Sequence, residues 1–182
     1  IIFIPAVLSK NTALKAAFCA LSGILYISIP LGLLVALRSM HIAIPIALIL
    51  MIWMNDTMAY LTGSFFGRTP FSKISPNKTW EGTLGGIVFT ILGAAVWANY
   101  AAKQPLYENF YKADWYVMAI IVCIAGTAGD LLESKLKRMA NVKDSGVMMP
   151  GHGGALDRFD SLLMAVPFVF VYLWISINFI SA

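Results

Sequence analysis

Six acidic and five basic side chains in this apolar chain are of the types that bind metal ions and phosphates. The acids are Asp56, Asp130, Glu133, Asp144, Asp157 and Asp160, and the bases are Lys78, Lys137, Arg138, Lys143 and Arg158. Hard carboxylate ligands favour Mg²⁺, which takes one or two carboxylates together with waters and substrate phosphates. Lysines and arginines would bind the phosphate oxygens. If these side chains converge, they suit phosphoryl or nucleotidyl transfer at a membrane surface.

A polar stretch, residues 134–160, holds most of these side chains. Its segment 150–154, PGHGG, does not make an ordinary helix, and its glycines allow backbone N–H groups to approach a ligand closely. We therefore expect Gly153 and Gly154 to contact a substrate. Two interpretations of His152 stay open: contact with the substrate or a metal-bound water, or a hydrogen bond to the backbone.

A second polar loop, residues 67–82, precedes another apolar segment. Pro76 ends the preceding structure, and Asn77 is the expected N-cap of a helix whose first turn contains Lys78 and Thr79. A helix N-terminus that carries a lysine and a hydroxyl is suited to binding phosphate. The alternative interpretation is a basic loop that only satisfies the charge bias of membrane proteins.

Helical spacing places the first acids of the polar stretch on one face. Asp130, Glu133, Ser134 and Lys137 follow the spacing i, i+3, i+4, i+7, so this face should look into a helix bundle. Asp56 lies among apolar residues, where a carboxylate is costly and by default functional, although a structural ion pair is the alternative. Helix capping could account for one of Asp157 and Asp160, which precede an apolar run.

The composition identifies an integral membrane protein. Hydrophobic residues make up 59% of the chain, charged residues only 12%, and the mean hydropathy is +0.78. Segments of about 20 apolar residues predict membrane-spanning helices, because lipid offers backbone groups no partner. Five such segments cover residues 12–37, 42–66, 81–101, 115–134 and 159–180. The fold class is therefore an all-α polytopic helix bundle with about five or six spans and a cytoplasm-facing polar site. The first apolar piece, residues 1–8, is too short to span, so we expect further spans upstream.

The distribution of basic residues predicts the topology. Ten of the thirteen fall on one side of the membrane: Lys10, Lys15, Arg68, Lys73, Lys78, Lys135, Lys137, Arg138, Lys143 and Arg158. The positive-inside rule makes that side, which carries the polar stretches, cytoplasmic. A belt of aromatic residues is expected near the opposite boundary, at Trp97, Tyr100, Tyr107, Tyr111, Trp115 and Tyr116. We expect a multi-pass protein of a bacterial inner membrane.

The polar stretch resembles the signature of the phosphatidate cytidylyltransferase family, also called CDP-diacylglycerol synthases. The signature positions are filled by Ser134, Lys137 with Arg138, Lys143 with Asp144, His152 to Gly154, Asp157 with Arg158, and Asp160. Upstream elements of the family also appear, as Asp56 with Ala59 and Tyr60, Gly63, residues 66–68 and residues 75–82. The similarity covers most of residues 50–165.

The resemblance implies a single transmembrane catalytic domain over residues 1–182 and the Mg²⁺-dependent reaction of CTP with phosphatidic acid to CDP-diacylglycerol and pyrophosphate. A second, monovalent cation stays open. Asp130 and Asp157 are then the first choices for metal ligands, followed by Glu133, Asp160 and Asp56. The candidate catalytic residues are Lys137, Arg138, Lys143, Asp144, His152 and Arg158, and the candidate substrate-binding residues are Lys78, Thr79, Ser134, Gly153 and Gly154.

Other functions remain open at this point. A close variant would use another lipid phosphate, such as an isoprenoid-ether one. A different class is a membrane transporter for phosphate-like anions, which predicts ionisable residues distributed toward both faces. The expected partners are CTP, phosphatidic acid and membrane lipids, without nucleic acid, and small-residue helix faces offer a route to a homodimer.

Overall fold

The computed structural model describes residues 13–72, 75, 78–103, 110–142, 145–146 and 154–180. Within these ranges the chain is helical and has no β-strand. The helices are α1 (Ala13–Gly23), α2 (Ile29–Met40), α3 (Ala43–Phe66), α4 (Trp80–Ala101), α5 (Lys112–Met139) and α6 (Leu156–Ile175). A π-helical turn, Ile24–Ser28, joins α1 to α2, and another, Ser176–Ile180, extends α6. The prediction of an all-α fold is confirmed.

Five helical segments in the described residues are long and apolar enough to cross a membrane: Ala20–Met40, Ala43–Phe66, Trp80–Ala101, Lys112–Met139 and Leu156–Asn178. They match the five segments predicted from the sequence. The fourth extends five residues beyond the predicted end at 134, because the polar face of α5 continues the helix after its apolar part has ended. The number and type of spans are thus encoded by hydropathy, whereas their ends are not.

Glycines allow close approach at two helix–helix contacts, which we call the α3–α4 and α5–α6 seams. The α3–α4 seam is tight: a Cβ atom at Gly86 would lie 2.7 Å from the carbonyl oxygen of Asn55. In the α5–α6 seam, a Cβ atom at Gly129 would lie 2.6 Å from the carbonyl oxygen of Asp160. The absence of side chains at these positions lets the helix backbones approach closely.

The aromatic residues at the far end of the bundle differ in part from the predicted belt. Trp115 is 1% exposed and packs inside the bundle, with its ring 5.9 Å from that of Trp97 and 6.0 Å from that of Phe110. Tyr100 and Tyr111 are exposed, as residues of an interfacial belt would be. For Trp115 the belt prediction is wrong, because burial of its large ring stabilises the core more than an interfacial position would.

Candidate active site

Four helix ends meet at one end of the bundle. The C-terminus of α3 and the N-terminus of α4 meet the C-terminus of α5, where the ammonium group of Lys78 forms an ion pair with Asp130. The N-terminus of α6 joins them, since Lys137 of α5 lies 2.6 Å from Asp157 of α6. These two cross-segment pairs bring together side chains that are far apart in the sequence.

A cavity of about 530 Å³ opens between α3, α4 and α5 at this end. It contains two of the predicted acids, Asp56 and Asp130, and two of the predicted substrate-binding residues, Lys78 and Thr79. Its remaining lining is Asn55, Ala59, Tyr60, Gly63, Ser64, Ser75, Thr83 and Thr127. A concave site with a few convergent polar groups is the usual setting of a binding site.

The start of α4 lies two residues later than predicted. Thr79, not Asn77, is the N-cap, and its side chain accepts a hydrogen bond from the backbone N–H of Gly82 at 3.1 Å. Lys78 therefore precedes the helix instead of lying in its first turn, although it still reaches the cavity. The cause is local pairing of the loop: the carbonyl group of Lys78 accepts a hydrogen bond from the N–H of Phe71 at 2.7 Å, which keeps this residue outside the helix.

Glu81 anchors the polar loop to the first turn of α4. Its carboxylate accepts hydrogen bonds from the backbone N–H groups of Arg68 at 3.2 Å and Thr69 at 3.1 Å, and from the Thr69 hydroxyl at 2.9 Å. The backbone N–H of Trp80 donates to the carbonyl group of Thr69 at 3.0 Å. The loop is thus more than a set of positive charges, because its folding positions Lys78 beside Asp130.

Lys137 connects the two acids at the α5–α6 junction. Its Nζ atom lies 2.6 Å from Glu133 and 2.6 Å from Asp157. Glu133 is 1% exposed, and its oxygens receive no hydrogen bond of good geometry from the described part of the chain. The close approach of the ammonium group nevertheless makes this an ion pair, because at 2.6 Å the Coulomb attraction does not depend on angle.

The carboxylate of Asp157 connects the polar stretch to the first turn of α6. Besides Lys137, its carboxylate accepts hydrogen bonds from the Ser145 N–H at 2.9 Å, the Ser145 hydroxyl at 2.7 Å and the Gly154 N–H at 2.7 Å. Asp157 lies in the first turn of α6, whose N-cap Ala155 provides no side-chain cap. Asp157 therefore has the first-turn position that the helix dipole favours, but its hydrogen bonds come from Ser145 and Gly154, and it also binds a lysine from another helix.

Asp130 and Asp160 lie on facing helices. Asp130 accepts a hydrogen bond from the Ser134 hydroxyl at 3.3 Å in addition to its pair with Lys78. Asp160 is buried, and its carboxylate accepts a hydrogen bond from the Ser161 N–H at 2.6 Å. Asp56, Asp130 and Asp160 are close enough to interact electrostatically. The face predicted from the spacing of Asp130, Glu133, Ser134 and Lys137 does look into the bundle.

The remaining predicted site residues fall into two groups. Arg138 and Arg158 are exposed at the same end of the bundle. Lys143, Asp144, His152 and Gly153 lie outside the described residues. Gly154 is buried and donates its N–H to Asp157 in this structure.

Carboxylate oxygens are suitable donors for Mg²⁺, but they do not form a complete metal cage here. No group of three or more acidic, histidine or cysteine side chains in the described ranges has an arrangement that could hold a metal ion by itself. The metal roles of Asp56, Asp130, Glu133, Asp157 and Asp160 therefore stay predictions. A site in which two carboxylates share the ion with waters and substrate phosphates is typical of Mg²⁺.

Four polar residues of the cavity were not predicted from the sequence: Asn55, Ser64, Thr83 and Thr127. Thr127 precedes Asp130 by three residues, so extending the polar helical face backward by one turn would have found it. Asn55 is next to the recognised Asp56, and Thr83 lies one turn after Thr79. Hydroxyl and amide groups carry no charge, so they did not stand out from a hydropathy pattern.

The sequence profile of the Cytidylyltransferase family matches residues 1–176 of this chain. The chain is also 38% identical over 172 residues to the phosphatidate cytidylyltransferases of Staphylococcus saprophyticus and Staphylococcus haemolyticus, and 36% identical to that of Staphylococcus aureus. Each alignment covers 92% of this chain and 63% of the relative's length. The predicted family is thereby confirmed, and the chain belongs to the cytidylyltransferase family.

Proposed function

We propose that this chain forms the membrane-embedded site of an enzyme that condenses CTP with phosphatidic acid to give CDP-diacylglycerol and pyrophosphate. The observation that carries the proposal is the convergence of Lys78, Asp130, Lys137 and Asp157, from separate segments, at one end of an apolar bundle. Lys78 and Asp130, of the types that bind phosphates and metal ions, thus line the cavity, and the pair of Lys137 with Asp157 lies at the same end of the bundle. The names of the relatives support the same substrates.

The chemistry requires charge neutralisation more than proton transfer. An oxygen of the lipid phosphate, already an anion, attacks the α-phosphorus of CTP, and the bond from that phosphorus to the bridging oxygen of pyrophosphate breaks. Lys78 and Lys137 would donate hydrogen bonds to phosphate oxygens on which negative charge develops, which would lower the barrier. A strong general base is unnecessary, which reduces the demand on His152.

Magnesium suits the donor set of this site. Asp56 and Asp130 line the cavity, so they are the residues that would hold the ion, together with phosphate oxygens of the substrates. When bound, the ion would supply Lewis-acid stabilisation of the phosphates. Asp157 stays a predicted ligand, and its hydrogen bonds to Ser145 and Gly154 give it a second task, that of holding the polar stretch against α6.

The site is proposed to face the cytoplasm. Lys78, Lys137, Arg138 and Arg158 are at its end of the bundle, which agrees with the positive-inside rule. CTP would then enter from the aqueous side and phosphatidic acid from the adjacent leaflet. A homodimer stays a prediction.

The test is a turnover assay on the intact protein in detergent with labelled CTP, phosphatidic acid and Mg²⁺. We expect cytidine label in the lipid extract together with released pyrophosphate, and a loss of both of at least about 100-fold in Asp130→Asn, which is about 2.7 kcal/mol of transition-state stabilisation. Lys112→Gln is the matched control, because Lys112 is exposed and donates to Asn99 at the opposite end of the bundle.

Replacing phosphatidic acid with an isoprenoid-ether phosphate tests the lipid variant of the proposal. Preferred turnover of that lipid would overturn the assignment of phosphatidic acid. Anion uptake into vesicles without any nucleotide turnover would overturn the enzyme and favour the transporter.

A further inference from the structure

The first turn of α6 has no cap from its own N-terminal residue. Ala155, at the N-cap position, has no side-chain oxygen, and its backbone is helical, with φ −61° and ψ −39°, whereas an N-cap residue usually has extended angles. The first N–H groups of the helix therefore need acceptors from elsewhere. The hydroxyl oxygen of Ser145 is one, because it accepts a hydrogen bond from the N–H of Asp157 at 3.3 Å. A serine twelve residues before Asp157 thus caps α6.

Ser145 also fixes the direction of the Asp157 carboxylate. The N–H and the hydroxyl of Ser145 donate to Oδ2 at 2.9 and 2.7 Å, and the Gly154 N–H donates to the same oxygen at 2.7 Å. A carboxylate oxygen has about two lone-pair sites, so these three donors saturate Oδ2. Among the described residues, the partner of Oδ1 is the ammonium group of Lys137 at 2.6 Å. The polar stretch thus holds one oxygen and leaves the other directed toward α5.

Close backbone packing keeps Ser145 against the start of α6. A Cβ atom at Gly154 would lie 2.6 Å from the backbone nitrogen of Gly146 and 2.8 Å from the carbonyl carbon of Ser145, so this approach requires a glycine. A Cβ atom at Gly146 would instead meet the Cα atom of Gly154 at 3.8 Å, which is an ordinary contact. The position of Ser145 is therefore fixed by sterics as well as by hydrogen bonds.

We propose that Ser145 is a positioning residue of the active site, whose hydroxyl caps α6 and orients the Asp157 carboxylate so that Oδ1 faces the reaction. This inference rests on the proposed function, in which Asp157 is a predicted metal ligand. Catalytic groups act efficiently only when neighbouring hydrogen bonds hold them in the productive geometry. The hydroxyl of Ser145 should therefore affect two separate quantities: the local stability of the first turn of α6 and the rate of the chemical step.

Hydrogen exchange of the intact protein in detergent tests the cap without any substrate. In Ser145→Ala, the amide groups in the first turn of α6 should exchange about 5-fold faster, the usual effect of a lost N-cap. Ser145→Thr keeps a hydroxyl and should exchange as the wild type does. Ser39→Ala is the matched control, because it removes a serine hydroxyl that donates to the Ala36 carbonyl group at 2.7 Å in α2. It should leave both α6 exchange and turnover unchanged.

Steady-state kinetics with CTP, phosphatidic acid and Mg²⁺ test the positioning role. In Ser145→Ala, kcat should fall by about 10-fold or more, the usual effect of a lost hydrogen bond to a charged group. KM for both substrates should stay near the wild-type value, because the lost interaction acts in the transition state. Ser145→Thr should restore kcat. Gly146→Ala is a control in the same stretch, and it should keep the wild-type kcat because its methyl group has room.

Three results would overturn the inference while leaving the proposed function intact. Unchanged exchange at the start of α6 in Ser145→Ala would exclude the cap, and a wild-type kcat in that variant would exclude the positioning role. An equal loss of kcat in Ser145→Ala and Ser145→Thr would show that the hydroxyl is not responsible. A wild-type protein that does not convert CTP and phosphatidic acid would instead refute the proposed function and the positioning role with it, whereas the exchange result would still decide the cap.

Discussion

Replacing Lys137 by methionine should strongly destabilise the protein, because this side chain neutralises two acids at once. Its Nζ atom lies 2.6 Å from both Glu133 and Asp157, which are 1% and 14% exposed. Methionine keeps the apolar stem of the side chain but removes the ammonium group. Glu133 would then remain buried without a cation, whereas Asp157 would keep its hydrogen bonds from Ser145 and Gly154.

The expected loss follows from these environments. Removing one partner of a buried ion pair costs about 3–5 kcal/mol, since the other charge stays desolvated. Most of this loss should come from Glu133. The double variant Lys137→Met, Glu133→Gln removes the stranded charge, so only the hydrogen bond to Asp157, worth about 1.5–3 kcal/mol, should remain lost. Glu133→Gln should therefore rescue Lys137→Met by about 2 kcal/mol.

Unfolding of the detergent-solubilised protein by increasing mole fractions of SDS gives the free energies needed for this comparison. Glu133→Gln alone is the control and should cost less than about 1 kcal/mol, because Lys137 keeps its bond to Asp157. The reasoning is refuted if Lys137→Met unfolds within about 1 kcal/mol of the wild type, or if Glu133→Gln destabilises Lys137→Met further. Either result would mean that Glu133 does not depend on Lys137 for its charge compensation.

Two further predictions concern packing and the far end of the bundle. Gly86→Ala should destabilise the protein by about 1–3 kcal/mol in the same unfolding assay, because the new methyl group would lie 2.7 Å from the Asn55 carbonyl oxygen. Gly32→Ala, whose added methyl group meets nothing within 4 Å, should be neutral or stabilising, and an equal loss in both would contradict the packing argument. Asp114→Asn should lower the free energy of unfolding by about 2 kcal/mol, because Asp114 is 3% exposed and accepts hydrogen bonds from Tyr172 and two other donors. The turnover of the folded enzyme should not change. Reduced turnover at full stability would connect Asp114 to the active site and contradict this separation.

The spans could be predicted from the sequence because lipid leaves few alternatives. An apolar segment of about 20 residues must satisfy its backbone hydrogen bonds internally, which favours a helix at each position where such a segment occurs. The inward polar face of α5 was predictable for the same reason, since Asp130, Glu133 and Lys137 recur at helical spacing. These predictions depend on the composition of each segment and on the helical spacing of its polar residues, which tertiary contacts do not alter.

Local capping and partner choice were less predictable. The carboxylate of Glu81 could cap its own helix or bind a neighbouring loop, and only the folded loop brings Arg68 and Thr69 within its reach. Once those contacts form, Thr79 becomes the N-cap in place of Asn77.

The geometry of the site depends on glycines as much as on its charged residues. Gly129 lies next to Asp130 and against the carbonyl oxygen of Asp160, so its lack of a side chain sets how closely α5 and α6 bring these two acids together. Gly86 does the same for α3 and α4, because it packs against Asn55, the residue that precedes Asp56. The signature of the polar stretch specifies which charges are present, but it contains neither glycine. Helix packing in the apolar part of the bundle therefore determines whether those charges can act on one substrate.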